Sequence, residues 1–303
     1  MSAGIDPPSA APFFDRRAWR LHRERAAREG AVTFLHEAVA ERLSDRLGLV
    51  DRDFGLALDL GAGGLSCLPD TQSRVRRVIA CEPAPRALAA LPPPRLCADP
   101  ELIPFRDASF DLVASCLVLH WCADLPGTLI QLRRALKPDG LLLAAMLGGD
   151  TLVELRTALF EAELAEEGGV SPRVSPTAAL ADAAGLLQRA GYAMPVADSE
   201  TLTVTYPDML ALLRDLRGMG ETNALAERRR FLGRATLARA GAIYAERFGD
   251  GQGRIKATFE VLFLAGWAPH PDHSRSRPGP RRRIAQSRSR SSATRGLSAG
   301  GIG

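Results

Sequence analysis

The sequence predicts an α/β fold in which a mostly parallel sheet carries helices on both faces. Short apolar runs alternate with helical patterns through the first half of the chain, which is the order typical of a parallel sheet. The first apolar run ends in a glycine turn, and the next two end in acidic residues. With 303 residues and 46% hydrophobic content, the chain can bury a sizeable core. Because parallel strands share one carboxyl edge, we expect a ligand site at that edge.

Apolar periodicity and turn signals predict the elements of the first half. Apolar positions at helical spacing indicate a helix over 31–48, and Lys137-Pro138-Asp139-Gly140 indicates a turn before the fifth strand. The basic segment 16–28 is expected to form a solvated helix. We predict strands at 56–60, 75–81, 95–98, 110–116 and 141–147, and helices at 83–91 and 125–136.

The residue pattern in the second half of the chain predicts further helices and two long strands. Ser175-Pro176 has the residue types of a helix N-cap and first turn. A helical insert over 207–250 is expected to lie above the carboxyl edge of the sheet as a lid. We predict helices at 151–166, 176–191, 207–217 and 224–248, and strands at 192–206, with a break near Asp198, and at 255–267.

The turn after the first strand is the most informative stretch of the chain. Gly61 and Gly63 permit positive φ and close approach of a ligand, although such glycines can also serve packing alone. The dinucleotide spacing G-x-G-x-x-G fails at Ser66. Asp59, just before the turn, suits a cationic sulfonium and an amino group better than a pyrophosphate. The turn therefore favours S-adenosylmethionine as the ligand.

Two more acidic strand ends support a nucleoside ligand. Glu82 follows Gly61 by 21 residues, the spacing at which an acidic residue accepts hydrogen bonds from ribose hydroxyls. Asp99, after the third strand, is placed to accept from an adenine amino group. Each acid taken singly fits a solvated loop, whereas three in order predict one site.

The charge distribution argues against a specific nucleic-acid partner. Residues 273–303 hold eight arginines and no acid, so removing them turns the formal net charge from +4 to −4. This tail has no aromatic residue to stack on bases and is rich in Ser, Gly and Pro. We expect disorder at 1–13 and in the Arg/Ser-rich tail, 272–303.

The cysteine pattern and the hydropathy argue against a metal-binding, disulfide-rich or membrane-spanning protein. The five cysteines are scattered without a C-x-x-C pair, so we predict neither a metal site nor a disulfide framework. No apolar run approaches the roughly 20 residues that span a bilayer. We therefore expect no transmembrane segment and a cytoplasmic location in a bacterium.

The ordered motifs resemble the class I S-adenosylmethionine-dependent methyltransferases, which have a Rossmann-like fold. They are Asp59-Leu60-Gly61-x-Gly63, Glu82, Asp99-Pro100-Glu101, Phe110-Asp111-Leu112-Val113 and Leu136-Lys137-Pro138-Asp139-Gly140. Within that superfamily the chain is similar to two groups. One is the malonyl-acyl-carrier-protein O-methyltransferases of biotin synthesis, and the other is a complex I assembly factor group whose mitochondrial member is described as a protein-arginine hydroxylase.

Four further motifs favour the assembly-factor group, and the resemblance runs from about Phe14 to His270. They are Leu119-His120-Trp121, the segment 148–156, Ser171-Pro172 with Ser175-Pro176, and Gly218-Met219-Gly220-Glu221-x-Asn223. The resemblance implies one domain, 14–271, with a seven-stranded sheet and S-adenosylmethionine as cofactor. It implies a protein substrate, a complex I subunit, or alternatively an acyl carrier protein. A mitochondrial-matrix location follows only by analogy with the eukaryotic relative.

The candidate site residues fall into three groups. His120 and Asp150 are the catalytic candidates, although His120 can also be a packing residue and Asp150 a helix cap. Methyl transfer depends mainly on alignment, so no strong catalytic signature is required. The predicted cofactor contacts are Asp59, Gly61, Gly63, Glu82, Asp99, Pro100 and Ser115. The predicted substrate or lid residues are Trp121, Thr151, Glu154, Met219, Glu221 and Asn223.

The glycine turn departs from the family pattern in one respect. Leu65 stands where the family usually has a third glycine, and Pro69 shortens the segment that follows. This departure supports a third hypothesis, a non-catalytic assembly chaperone that keeps the methyltransferase fold.

Overall fold

A computed structural model describes residues 13–68, 74–174, 180–227 and 231–270. The chain divides into the unit 1–270 and the unit 271–303, and the second lies outside the described residues. Several sequence predictions fall outside them too: disorder at 1–12 and 272–303, the helix break at Pro69, and the cap at Ser175-Pro176. Phe13 is described, and its carbonyl accepts from Ala226 N at 3.0 Å.

The elements follow the predicted order. The helices are α1 (Arg16–Glu29), α2 (Phe34–Gly48), α3 (Pro85–Ala89), α4 (Leu125–Ala135), α5 (Val153–Glu167), α6 (Leu180–Arg189), α7 (Met209–Met219) and α8 (Arg234–Phe248). The strands are β1 (Ala57–Leu60), β2 (Val78–Cys81), β3 (Arg95–Leu96), β4 (Phe110–Cys116), β5 (Leu136–Leu147), β6 (Ala193–Tyr206) and β7 (Ile255–Trp267).

In the described part of the chain the strands form one seven-stranded sheet in the order β3-β2-β1-β4-β5-β7-β6. Strands β1 to β5 pair in parallel, whereas β7 runs antiparallel to both β5 and β6. This confirms the predicted mostly parallel, seven-stranded sheet. The strand order reverses between β1 and β4, and ligands bind at such a switch point.

Helices cover both faces of the sheet, and the sheet separates two apolar cores. Helices α2, α5, α7 and α8 bury their apolar residues on one face. Helices α1, α4 and α6 do so on the other, where Trp19 of α1 is fully buried. Helix α1 is therefore part of the fold, and the prediction of a merely solvated basic helix is wrong.

Several local details differ from the sequence predictions. The segment 137–140 lies inside β5, with Asp139 at φ +59°, and the register of β4 against β5 shifts beside it. The irregularity of β6 lies between Ala193 and Val196 rather than near Asp198. Helix α3 is shorter than predicted at both ends. Helix α8 begins at Arg234 rather than at the predicted 224, and Leu225 instead forms a β-bridge with Phe14. The two strand irregularities follow from the pairing of β4 with β5 and of β6 with β7, which local turn propensity does not report.

Helices α7 and α8 make up most of the segment predicted as a lid. Asp208 caps α7 by accepting from Ala211 N at 2.7 Å, and α7 ends at Gly220 with φ +81°. The turn that follows brings Glu221 to the carboxyl edge of β4. The Gly218 carbonyl accepts from Val32 N at 3.1 Å, which ties this turn to the segment between α1 and α2.

Candidate functional site

The glycine turn after β1 lies at the switch point of the sheet. Gly61 has φ +77°, and a Cβ added there would lie 2.4 Å from Val118 Cβ. Gly63 has φ +59° and donates its N–H to Glu82 Oε2 at 2.9 Å. Both positions therefore require glycine for backbone conformation, and Gly61 also requires it for packing.

Asp59 is turned toward its own loop. Its buried carboxylate accepts from Ser66 Oγ at 2.6 Å and from Cys67 N at 3.1 Å. Burial raises the pKa of this carboxyl above its usual value, and the hydrogen bonds from Ser66 and Cys67 oppose that rise. In this arrangement the carboxylate holds the loop together, and its contact with a cationic ligand stays a prediction.

Glu82, at the end of β2, is paired with an arginine of α1. Arg23 Nε and Nη2 donate to its two oxygens at 2.8 and 2.7 Å. The N–H groups of Gly63 and Ala84 donate to the same two oxygens at 2.9 and 3.1 Å. An ionised carboxylate has about four acceptor positions, and these contacts fill them. Burial opposes the charge of Arg23, but the adjacent Glu82 raises the pKa of Arg23 above its usual value.

Asp99, after β3, is paired with a second arginine of α1. Arg16 Nε donates to Asp99 Oδ2 at 2.9 Å, and Arg16 Nη2 donates to Oδ1. Glu101 N also donates to Oδ1, at 3.0 Å. Sequence analysis missed Arg16 and Arg23 as partners of these carboxylates. Their seven-residue spacing around Trp19 was an available signal, since it places both on one face of a helix.

The last two predicted cofactor contacts are buried in the scaffold. Ser115 Oγ donates to the Leu60 carbonyl at 3.2 Å and so joins β4 to β1. Pro100 is buried in the turn that follows Asp99. Both residues shape the edge of the sheet.

His120, Trp121 and Glu221 form a hydrogen-bonded cluster above β4. His120 Nε2 lies 3.1 Å from Glu221 Oε2, and Trp121 Nε1 donates to the same oxygen at 3.0 Å. Leu147 N donates to His120 Nδ1 at 3.4 Å, which assigns the proton to Nε2 and makes Nε2 the donor to Glu221. Both ring nitrogens are engaged, so in this arrangement His120 orients Glu221, and its catalytic role stays a prediction.

Glu221 is ionised although it is largely removed from solvent, with its side chain 13% exposed. Burial raises the pKa of its carboxyl, but the interaction with His120, the hydrogen bond from Trp121 and the nearby Arg23 guanidinium lower it below its usual value. The carboxylate faces two cavities. One, of about 50 Å³, lies beside the glycine turn and is lined by Arg23, His36 and Met219. The other, of about 230 Å³, is mostly apolar and also touches His120, Trp121, Thr151 and Asn223.

Asp150 and Glu154 do not line either cavity. Asp150 is exposed, and its N–H donates to Glu260 Oε2 at 2.9 Å. Helix α5 begins after Leu152 without a side-chain cap, so the alternative of a cap at Asp150 is wrong. Glu154 accepts from Thr258 N at 3.1 Å and from the Thr258 hydroxyl, which ties α5 to β7. The predicted substrate role of Glu154 is replaced by a structural one.

Sequence analysis also missed His36 of α2. Its Nε2 is buried beside the small cavity and has no hydrogen-bond partner among the described residues. Burial and the nearby Arg23 lower the pKa of His36 to about 4, so the ring is neutral at neutral pH. No local motif marks it, because its position follows from the packing of α2 against the glycine turn.

In the described arrangement the space at the glycine turn is smaller than a typical ligand pocket. Ligand pockets measure about 300–1,000 Å³, whereas the cavity at the glycine turn measures about 50 Å³. The acceptor positions of Glu82 are also taken. In the described segments no group of three or more His, Cys, Asp or Glu side chains is arranged to hold a metal ion. None of the helices described there is long and apolar enough to cross a membrane.

Replacing Gly61 with alanine tests the packing of the glycine turn. We expect Gly61→Ala to lower the free energy of unfolding by about 2–4 kcal/mol, because it adds a clash with Val118 to the strain of positive φ. Gly168 also has positive φ, +65°, but an added Cβ would meet nothing within 4 Å. Gly168→Ala is the control and should cost about 1 kcal/mol. If urea unfolding showed the same loss of unfolding free energy for both variants, this would contradict the packing argument.

The structural role of Glu154 gives a second test. We expect Glu154→Ala to lower the free energy of unfolding by about 1–3 kcal/mol, because Thr258 N loses its acceptor. Asp150→Ala, at an exposed side chain four residues away, should change it by no more than about 0.5 kcal/mol. Urea denaturation of the two variants checks this. A stable Glu154→Ala protein would show that the contact with Thr258 is dispensable.

Comparison with known proteins places these features in a family. Residues 58–144 match the methyltransferase domain family. Arginine-hydroxylase NDUFAF5 of Danio rerio is 40% identical over 278 residues, 88% of this chain and 86% of the relative. The human NDUFAF5 is 38% identical over 295 residues, 93% of this chain and 85% of the relative. Malonyl-[acyl-carrier protein] O-methyltransferase of Halorhodospira halophila is 36% identical over 272 residues, 86% of this chain and 90% of the relative.

Solved structures agree on the fold. YcgJ of Bacillus subtilis has a TM-score of 0.53 at 14% identity and covers 76% of this chain and 99% of its own. The [4+2]-cyclase SpnF has a TM-score of 0.50 at 14% identity, with 84% and 93% covered. The predicted class I methyltransferase fold and the predicted family are both confirmed. The chain belongs to the methyltransferase family that contains arginine-hydroxylase NDUFAF5.

Proposed function

We propose that this chain is an S-adenosylmethionine-binding, methyltransferase-like enzyme that acts on a protein substrate, a subunit of respiratory complex I, in the cytoplasm. Support comes from the similarity along most of the chain to relatives named arginine-hydroxylase. The Leu119-His120-Trp121 and Gly218–Asn223 motifs that suggested this group supply the Glu221 cluster.

The observation that carries the proposal is the ionised Glu221 carboxylate where the two cavities meet. Its hydrogen-bond partners among the described residues, His120 and Trp121, are ring N–H donors rather than arginines or lysines. A cationic acceptor such as an arginine side chain complements this charge. Two like charges about 4 Å apart repel by about 4 kcal/mol at an effective dielectric constant near 20, so a carboxylate acceptor is disfavoured.

The large cavity suits the part of a substrate that lies next to the reacting group. It is lined by aliphatic side chains and Phe259, with Glu221, Thr151, Thr222 and Asn223 as polar contacts. Arg173 also lines it, and its guanidinium is paired with the carboxylate of Glu163. An arginine has an apolar stem and a charged head, and such a side chain buries the stem while keeping the head on a polar partner. In this proposal Glu221 holds the head group, and His120 and Trp121 orient Glu221. S-adenosylmethionine, when bound, supplies an activated methyl group.

Two other functions remain as alternatives. A malonyl-acyl-carrier-protein O-methyltransferase is supported by the Halorhodospira relative, which matches 86% of this chain. A non-catalytic assembly chaperone is supported by Leu65 in the glycine turn and by the engagement of Glu82 with Arg23. Each alternative makes a different prediction for the same set of strains.

Complementation of a deletion strain of the source organism tests the proposal. We expect loss of complex I assembly and activity in the deletion strain, with rescue by the wild-type gene and by Asp150→Asn. We expect Glu221→Gln to accumulate as a folded protein but to lower complex I activity by at least about tenfold, because a charge-assisted hydrogen bond contributes about 1.5–3 kcal/mol. Blue-native gels and NADH oxidation rates measure both quantities.

The other outcomes separate the alternatives. Full rescue by Glu221→Gln would favour the chaperone. Intact complex I in the deletion strain, together with rescue of a biotin auxotroph by the wild-type gene, would overturn the proposal in favour of the malonyl-acyl-carrier-protein reaction. Circular dichroism and urea unfolding of Glu221→Gln establish that the variant is folded.

A further inference from the structure

Helix α1 presents two arginines to the carboxyl edge of the sheet. Arg16 and Arg23 are seven residues apart, which is about two helical turns, so they lie on one face. The buried Trp19 lies between them, and the two guanidinium carbons are 4.2 and 5.5 Å from its ring centroid. This face of α1 therefore carries two cations at fixed positions over the edge.

The partners of these cations are the two carboxylates that sequence analysis assigned to a nucleoside. Arg23 pairs with Glu82, and the two side chains are 7% and 0% exposed. Arg16 pairs with Asp99, with 25% and 31% exposed. Ribose hydroxyls cannot bind Glu82 without displacing one of its present donors. Two of those donors are backbone N–H groups of the glycine turn and the start of α3, so the guanidinium is the group that can leave.

Space at the edge is limited by the same helix. Arg23 Nη2 lies 3.3 Å from the Gly61 carbonyl oxygen and 3.2 Å from the position of a Cβ on Gly63. The guanidinium thus lies directly on the glycine turn, beside the cavity of about 50 Å³. A groove of about 410 Å³ lies at the other end of this face, along Arg16, Trp19 and Asp99. Helix α1 lies between these two spaces.

We propose that α1 and a nucleoside cofactor compete for Glu82 and Asp99, so that the cofactor binds only after α1 is displaced from the edge. The inference rests on the proposed function, since it takes an adenosine-containing ligand as the competitor. Hydrogen bonding supports the exchange. Arg23 donates to both carboxylate oxygens of Glu82 in the described arrangement, and the ribose hydroxyls of a nucleoside would donate to the same oxygens afterwards.

Displacement of α1 would also affect Glu221 and the large cavity. The turn that carries Glu221 is hydrogen-bonded to the α1 region at several points. Asp15 N donates to the Ala224 carbonyl at 2.7 Å, and Arg25 Nη2 donates to Thr222 Oγ1 at 3.0 Å. Movement of α1 therefore loosens the turn at 218–226, and cofactor entry is coupled to opening of the large cavity.

Calorimetric binding of 5′-methylthioadenosine tests the competition. This probe carries the adenosine part without the amino-acid end, so it reports on the nucleoside carboxylates alone. We expect Arg23→Gln to bind it at least tenfold more tightly than the wild type, and Arg16→Gln to show a smaller gain because its pair is more exposed. Arg28→Gln removes the same charge from the exposed end of α1, where Arg28 pairs with Glu29, and should bind like the wild type.

The failures of the two proposals are distinguishable. If the wild type and all variants bind the probe with equal affinity, or if Arg23→Gln binds it more weakly, the proposed competition is overturned. The proposal of an adenosine-containing cofactor is then retained. If neither the probe nor S-adenosylhomocysteine binds any protein, including the Arg16→Gln/Arg23→Gln double variant, the cofactor class is wrong and the competition fails with it.

Amide hydrogen exchange of the wild type covers the case in which Arg23→Gln does not fold. With saturating S-adenosylhomocysteine, we expect exchange to become faster in 16–29 and in 218–226, because both segments lose their docking contacts. The strands β4 and β5 should be unchanged or better protected and serve as the internal control. Unchanged or slower exchange in 16–29 on ligand binding would overturn the displacement of α1.

Discussion

The buried ion pair between Arg23 and Glu82 organises the carboxyl edge of the sheet. Two charges removed from water are stable only when their geometry is good and their remaining acceptor positions are filled. The paired hydrogen bonds from one guanidinium and the two backbone N–H groups meet both conditions. Through these contacts one carboxylate fixes the glycine turn, the start of α3 and the position of α1.

A second carboxylate at the same edge is stabilised in a different way. Glu221 is held by ring N–H groups of His120 and Trp121, so its charge is oriented but not neutralised by a paired cation within the described residues. Glu82 and Asp99 are neutralised by arginines. The carboxyl edge therefore has two parts. The part predicted to bind a nucleoside, at Glu82 and Asp99, is charge-balanced by arginines, whereas the part at Glu221 keeps a negative charge. Helix α1 and the turn after α7 connect the two parts.

Much of the fold was predictable because its signals are local. Strand β4 and helices α2, α4 and α5 were predicted close to their observed bounds, since apolar periodicity and turn residues act within a few residues. Helix α8 was not, because it begins at Arg234, ten residues after its predicted start. The roles of Gly61 and Gly63 in a tight turn were predictable for the same reason. The site was less so: Asp150 and Glu154 have the residue types of a helix start, yet one is exposed and the other anchors β7. Their partners lie about a hundred residues away and leave no local trace.

The sequence by itself determined the α/β class, the glycine turn, the acidic strand ends and the family, because periodicity, turn chemistry and motif order can all be read along the chain. Only the tertiary structure decided what those acids contact. Arg23 is 59 residues from Glu82, and Arg16 is 83 residues from Asp99. Pairing over such distances depends on where α1 docks, and docking is set by the burial of Trp19 and Phe14 against the assembled sheet edge.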